Sequence, residues 1–233
     1  MQQFFEELGT RLYDDFIYQE RYMYIVKGLG NTVLITVFAL LIGVILGVLI
    51  AVVRAVHAGD KSKLKLLNGI CGLYLTVIRG TPMIVQLMIM YFAILKSADS
   101  LVVAVIAFGI NSGAYVAEVI RSGIQSVDRG QTEAGRSLGL TQRQTMVRIV
   151  MPQAFRNVAP AIFNEFISLL KETSVAGYVG IQDLTKGGDI IRSITYDAFP
   201  PLLVVGAIYL VIVIGLTRIL AVLERRFAKS DLR

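Results

Sequence analysis

Residues 28–53 read Gly-Leu-Gly-Asn-Thr-Val-Leu-Ile-Thr-Val-Phe-Ala-Leu-Leu-Ile-Gly-Val-Ile-Leu-Gly-Val-Leu-Ile-Ala-Val-Val and contain no charged side chain. Wound as a helix at about 1.5 Å per residue, the segment exceeds the ~30 Å hydrocarbon layer of a bilayer. It therefore reads as a transmembrane helix. An acidic, aromatic segment precedes it and no small-residue cleavage site follows, which argues against a cleaved signal peptide.

The same pattern recurs along the chain. Of 233 residues 55% are hydrophobic, against about 45–50% in ordinary domains, and the excess is gathered into blocks. These predict an all-α membrane protein with five transmembrane helices: 29–53, 64–95 interrupted by Arg79-Gly80-Thr81-Pro82, 101–120, 155–170 and 201–223. Three regions follow: an external amphipathic segment 1–27, a transmembrane body 28–226, and a tail 227–233. In the first, Phe4, Phe5, Leu8, Leu12, Phe16 and Ile17 recur at helical spacing beside Glu6, Glu7, Asp14 and Asp15, as in a helix lying on the outer surface.

Charge orients the spans. Segments 54–65, 121–156 and 218–233 carry fifteen Lys and Arg against five Asp and Glu, whereas 1–27, 96–99 and 171–197 carry seven against ten. By the positive-inside rule the first set is cytoplasmic, with the N-terminus outside and the C-terminus inside. The net charge of +6 is thereby a topological signal and not the footprint of nucleic acid. Gly43 and Gly47 form a small-xxx-small pair suited to close helix contact. Cys71, the one cysteine, cannot form an intrachain disulfide, and His57, the one histidine, has no metal-ligand spacing around it.

The longest cytoplasmic stretch, 128–152, breaks into two short helices on local chemistry. Asp128 can cap the first and Gly139 can end it in a left-handed conformation. Thr141 with Gln144 forms a capping box for the second, and Pro152 is expected to disrupt its continuation. Within it, Gly130-Gln-Thr-Glu-Ala-Gly135-Arg136-Ser137 mimics a P-loop, but Arg stands where the phosphate-binding Lys should be and no buried strand precedes it.

Glu133-Ala134-Gly135, Gly139, Ile149 and Met151-Pro152 resemble the EAA loop of ABC importer permeases, at matching spacing, with Gly135 replacing an Ala and Met151 replacing a Leu. Arg79-Gly80-Thr81-Pro82 with Gln86, Asn111-Ser112-Gly113-Ala114-Tyr115 with Glu118, and Leu170-Lys171-Glu172-Thr173-Ser174 are similar to segments of the branch that carries histidine, arginine, glutamine, glutamate and cystine. The resemblance implies a type I importer permease with a cytoplasmic coupling helix. Its partners would be a second permease copy, identical or not, two ATPase subunits, an external binding protein and a polar amino acid. ATP and Mg would be bound by the ATPases and no cofactor by this chain, which would be a permease and not an enzyme. ATPase coupling would fall to Glu133, Ala134, Gly135, Arg136, Gly139, Arg143, Ile149 and Pro152, with Arg148 adding charge.

Candidate substrate residues follow from the cost of polar groups in a membrane. Arg79, Glu118 and Glu165 are the ionisable residues left inside the spans. The break at Gly80-Thr81-Pro82 offers backbone groups to a polar ligand. Arg79 could hold a carboxylate, and Glu118 or Glu165 an ammonium. Thr81, Gln86, Asn111, Ser112, Tyr115, Lys171, Glu172, Thr173 and Ser174 complete the set, with bonding between helices or lining of a gate as the alternative role. On spans alone, a secondary transporter or channel that uses no ATP remains the second reading.

Overall fold

A computed structural model of the chain describes residues 9–230, and all regular elements among the described residues are helical. Two short turns, Tyr13–Ile17 and Tyr18–Glu20, lead into α1 (Tyr22–Gly59), α2 (Lys65–Gly80) and α3 (Met83–Ile89), which a wider turn extends to Ile94. Next come α4 (Ser100–Gln125), α5 (Arg129–Ser137), α6 (Gln142–Thr145) and α7 (Met151–Glu172). A 3₁₀ stretch, Thr173–Val179, precedes α8 (Leu184–Thr195) and α9 (Phe199–Ser230).

Among the described residues three helices are long and apolar enough to cross a bilayer: α1, α4 and residues Phe199–Arg226 of α9. The α2–α3 pair meets the test only as one broken unit, bent by 109° where Thr81 and Pro82 interrupt it. A proline cannot donate the hydrogen bond that would continue α2 and disfavours helical geometry in the residue before it. The expected interruption is thus a sharp corner. The fourth expected span lies in α7, which carries Arg156, Asn157, Asn164 and Glu165 and falls outside the spanning class by composition. It packs instead on α4, α9 and α1, which half-bury Arg156 and Glu165 while Asn157 and Asn164 stay exposed.

Helices α1 and α4 form the central pair. A Cβ added to Gly43 would lie 2.7 Å from Ser112 Oγ, and one on Gly47 would lie 2.6 Å from Val116 Cγ1. In return, Gly109 and Gly113 of α4 receive Ile42 and Leu46 of α1. Two backbones can meet this closely only where side chains are missing. Around the pair, Ile35, Leu87, Phe108, Leu169, Val179 and Ile181 draw α1, α3, α4, α7 and the 3₁₀ stretch into one core.

Helix α8 is tied to the first turns of α1 by polar bonds. Asn31 Nδ2 donates to the Gln182 carbonyl at 2.7 Å, Gln182 Nε2 to the Tyr24 carbonyl at 3.2 Å, and the Leu184 N–H to Thr32 Oγ1 at 3.0 Å. Asp183 caps α8, accepting from the Thr185 and Lys186 N–H groups at 2.9 and 3.0 Å. Ahead of α1, Leu12 and Ile17 are exposed while Asp15 is 3% exposed. That reverses the expected polar outer face at Asp15: its carboxylate turns toward Thr195 and Asp197, where burial pushes its pKa up. Phe4, Phe5, Glu6, Glu7 and Leu8 lie outside the described residues.

Substituting Gly43→Val or Gly47→Val should force α1 and α4 apart and lower stability by about 1–3 kcal/mol, the usual cost of overpacking. Gly206→Ala, where a Cβ meets nothing within 4 Å, should stay within about 0.5 kcal/mol of the parent. Thermal unfolding of the detergent-solubilised protein would compare them, and equal midpoints for all three would remove the α1–α4 contact from its central place.

Candidate functional site

The loop between α4 and α7 is built as a rigid corner. Asp128 Oδ1 accepts the Gly130 N–H at 2.6 Å at the start of α5. At its end Gly139 adopts φ +83°, and the Leu140 N–H reaches back to the Gly135 carbonyl at 3.2 Å. A left-handed residue there lets the last carbonyls of the helix find donors. The capping box at α6 is complete: Thr141 Oγ1 accepts from the Gln144 N–H at 3.2 Å, and Gln144 Oε1 accepts from the Thr141 N–H at 2.9 Å. Residues 130–137 lie wholly within helix α5, which removes the phosphate-cradling loop that a P-loop requires.

Gly135 is buried, and a Cβ added to it would lie 2.8 Å from both Ile149 Cδ1 and Thr145 Cγ2. This departure from the alanine of the motif lets the two arms of the corner close on each other. Glu133, Ala134, Arg136 and Arg143 are exposed, although Arg136 also donates to the Leu140 carbonyl at 3.2 Å. Leu138 at the tip is 81% exposed. Arg143 and Arg148 flank a hollow of about 400 Å³ with Thr141 and Val147.

Pro152 does not end the second arm. A wide helical turn, Met146–Val150, joins α6 to α7, and Pro152 sits in the first turn of α7. There a missing N–H costs little, and the wider turn supplies the local change of pitch. One helical path therefore runs from Gln142 to Glu172.

The candidate substrate residues fall into separate groups. Ser112 Oγ donates to Glu165 Oε1 at 3.2 Å, joining α4 to α7. Gln86 staples the broken helix: its Nε2 donates to the Ile78 carbonyl at 2.7 Å, to the Thr81 carbonyl at 3.1 Å and to Thr81 Oγ1 at 2.8 Å. Its Oε1 accepts from Asn111 Nδ2 at 3.0 Å. Thr81, Gln86 and Asn111 are thus engaged with the break itself. Arg79 pairs with Glu118 at 3.5 Å and lies 5.8 Å from the Tyr115 ring centroid.

Ser112 and Glu118 are six residues apart on α4, which is about 9 Å of rise and roughly 240° around the axis. They face different neighbours. At the end of α7, Lys171 and Glu172 are exposed; beyond it Thr173 is buried with its hydroxyl on the Leu170 carbonyl at 2.8 Å, and Ser174 lines a cavity of about 340 Å³ with Tyr178, Lys186 and Asp189.

Two polar residues escape a reading based on spans. Arg121 grips Glu118 through two guanidinium atoms, a pairing that its i,i+3 spacing could have disclosed. Arg54 lines the cavities beside Glu118. Both count as loop charges in the topology argument.

A family described as the binding-protein-dependent transport system inner membrane component matches residues 43–229. The chain belongs to that family. It is 37% identical over 212 residues to the arginine transport system permease protein of Bacillus subtilis (strain 168), covering 89% of this chain and 94% of that one. With the L-cystine transport system permease protein of the same organism it shares 35% identity over 223 residues, 94% of this chain and 93% of the relative. A solved amino acid ABC transporter with histidines superposes with a TM-score of 0.83 at 40% identity, covering 91% of this chain and 98% of that chain. The methionine transporter MetNI in an inward-facing form shares the fold, with a TM-score of 0.74 at 20% identity over 88% of this chain and 96% of that one. The protein is therefore a multi-pass, inner-membrane permease component of an ABC transporter. The non-ATP transporter reading is set aside.

The permease depends locally on the Gln86 staple. Gln86→Ala would leave the Ile78 and Thr81 carbonyls and the Asn111 amide without these partners, at an expected cost of about 1–3 kcal/mol. Hydrogen exchange across residues 77–86 should accelerate first, and unchanged protection there would show that the break holds without it.

Proposed function

We propose that this permease carries a polar amino acid inward, delivered by an external binding protein and driven by two ATPase subunits that bind ATP and Mg. The observation that carries the reading is the uninterrupted helical path from the capped corner at Gln142, past Glu165, to Glu172. A partner that displaces the corner moves Glu165 with it. The relatives named for arginine and L-cystine transport support the cargo class.

In this reading residues 28–226 form the permease body, preceded by an external segment and followed by a cytoplasmic tail. Five crossings, α7 included, put the N-terminus outside and the C-terminus in the cytoplasm, in keeping with the charge asymmetry. A second permease copy covers faces that α2 and α9 leave exposed, such as Leu66, Leu73 and Val211. Glu133, Arg136, Arg143 and Arg148 meet the ATPase with Leu138 between them, while Gly135, Gly139, Ile149 and Pro152 hold the corner in shape. Glu165 and Ser112 receive the cargo, with Lys171, Glu172, Thr173 and Ser174 near its entrance. Thr81, Gln86 and Asn111 set the shape of the broken helix along the path.

Gly139→Val places a β-branched residue at φ +83°, a strain of order 1–3 kcal/mol. The complex should still insert and hydrolyse ATP, but uptake per ATP should fall by about tenfold or more in proteoliposomes. Coupled transport at the parental ratio would sink the lever. Glu165→Gln removes the carboxylate that a cationic side chain or ammonium would meet. Uptake of L-arginine should fall by about tenfold and that of L-glutamine by less. An identical profile for both amino acids would take Glu165 out of the site.

A further inference from the structure

Three guanidinium groups and a single carboxylate meet where α1, α2 and α4 approach the coupling corner. Two adjoining cavities open there. One, of about 540 Å³, is bordered by Arg54, His57, Asn68, Arg121, Gln125 and Gln142. The other, of about 600 Å³, is bordered by Arg54, Thr76, Arg79, Gly80, Tyr115 and Glu118. Arg54, Leu75 and Glu118 line both.

Glu118 is already spoken for. Arg121 holds both of its oxygens, and Arg79 approaches one of them at 3.5 Å. Arg121 is further fixed by Gln125 at 2.5 Å, and Arg79 by the Tyr115 ring. Arg54 is half-buried and, among the described residues, has no ion pair of its own. Among the described residues no other carboxylate lines either cavity. The cluster thus carries a surplus of two positive charges, and guanidinium groups brought together favour a planar anion that accepts two hydrogen bonds.

We propose that Arg54, backed by Arg79 and Arg121, forms an inner station that binds the carboxylate of the departing amino acid. The proposal rests on the amino acid cargo assigned above. It adds a second stop to the path, on a different face of α4 and about two turns beyond Ser112. Its position explains why the surplus charge sits beside Gln142: a cargo held there lies against the corner that the ATPase moves. Opening that corner would widen the cavity at its Gln142 wall and release the zwitterion.

The test uses the purified complex with its ATPase, as wild type, Arg54→Gln and Arg54→Lys. Sodium acetate supplies a bare carboxylate, compared with sodium chloride at equal ionic strength. Acetate should raise the wild-type unfolding midpoint by about 2 °C over chloride. Arg54→Gln should abolish that difference and Arg54→Lys retain most of it. In proteoliposomes Arg54→Gln should lower the maximal rate of L-arginine or L-glutamine uptake by about tenfold, with the half-saturating external concentration unchanged within twofold. Equal acetate responses in wild type and Arg54→Gln, or parental uptake by Arg54→Gln, would overturn the station. An Arg54-dependent acetate response in a complex that moves no polar amino acid would instead overturn the cargo assignment and leave the anion site standing.

Discussion

The close approach of α1 and α4 is the constraint on which the other elements depend. In a bilayer, lipid tails solvate leucine and valine as well as a protein interior does, so helices gain little by merely hiding apolar surface from one another. What distinguishes one helix pair from many is how near the backbones can come. Gly43 and Gly47 on one side, and Gly109 and Gly113 on the other, let each helix receive the side chains of its partner. Ser112, seated against Gly43, is thereby held where its hydroxyl meets Glu165 of α7. The first polar contact of the proposed path is a consequence of glycine packing one helix away.

The second constraint is the cost of bare backbone groups. A corner of 109° between α2 and α3 frees carbonyls that in a lipid environment need donors from the protein. One side chain supplies several of them: Gln86 reaches both Ile78 and Thr81, while Thr81 donates its own hydroxyl to the Val77 carbonyl at 2.8 Å. Asn111 then anchors Gln86 to α4. Polar residues near a broken helix can look like ligands for a solute when their first task is to satisfy the break. That task does not bar them from the path, but it limits how far they can turn toward a cargo without leaving a carbonyl unpaired.

Much of this was readable from the chain because its causes are local. An uncharged run from Gly28 to Val53 needs a membrane whatever surrounds it. The Thr141–Gln144 box and the left-handed Gly139 are settled by residues within a few positions of one another. Pro152 and α7 were less transparent for a complementary reason. Proline reads as a stop unless the preceding turn widens, and here the wide turn Met146–Val150 sits where Ile149 and Thr145 pack over Gly135. The polar residues of α7 reduce its apolar signal, and Glu165, half-buried among them, meets a helix distant in sequence through Ser112 of α4. The clamp of α8 on α1 joins residues about 150 positions apart, Asn31 with Gln182 and Thr32 with Leu184, and no short-range pattern announces it.

Continuity between the corner and α7 gives the molecule a direction of action. Had Pro152 ended the second arm, a push on the loop would have been absorbed in a flexible joint before reaching the membrane interior. With the path helical from Gln142 to Glu172, Pro160 within it included, the proposed push at Arg143 or Arg148 would be carried along the helix to Glu165 and on to buried Thr173. The same displacement moves Gln142, which forms one wall of the cavity lined by Arg54 and Arg121. One rigid element therefore touches both proposed stations, so loosening at the upper contact and opening at the lower one need no separate signals. Interior packing favours such discrete rearrangements over gradual deformation, and the glycine-packed α1–α4 pair supplies the fixed frame against which that element can move.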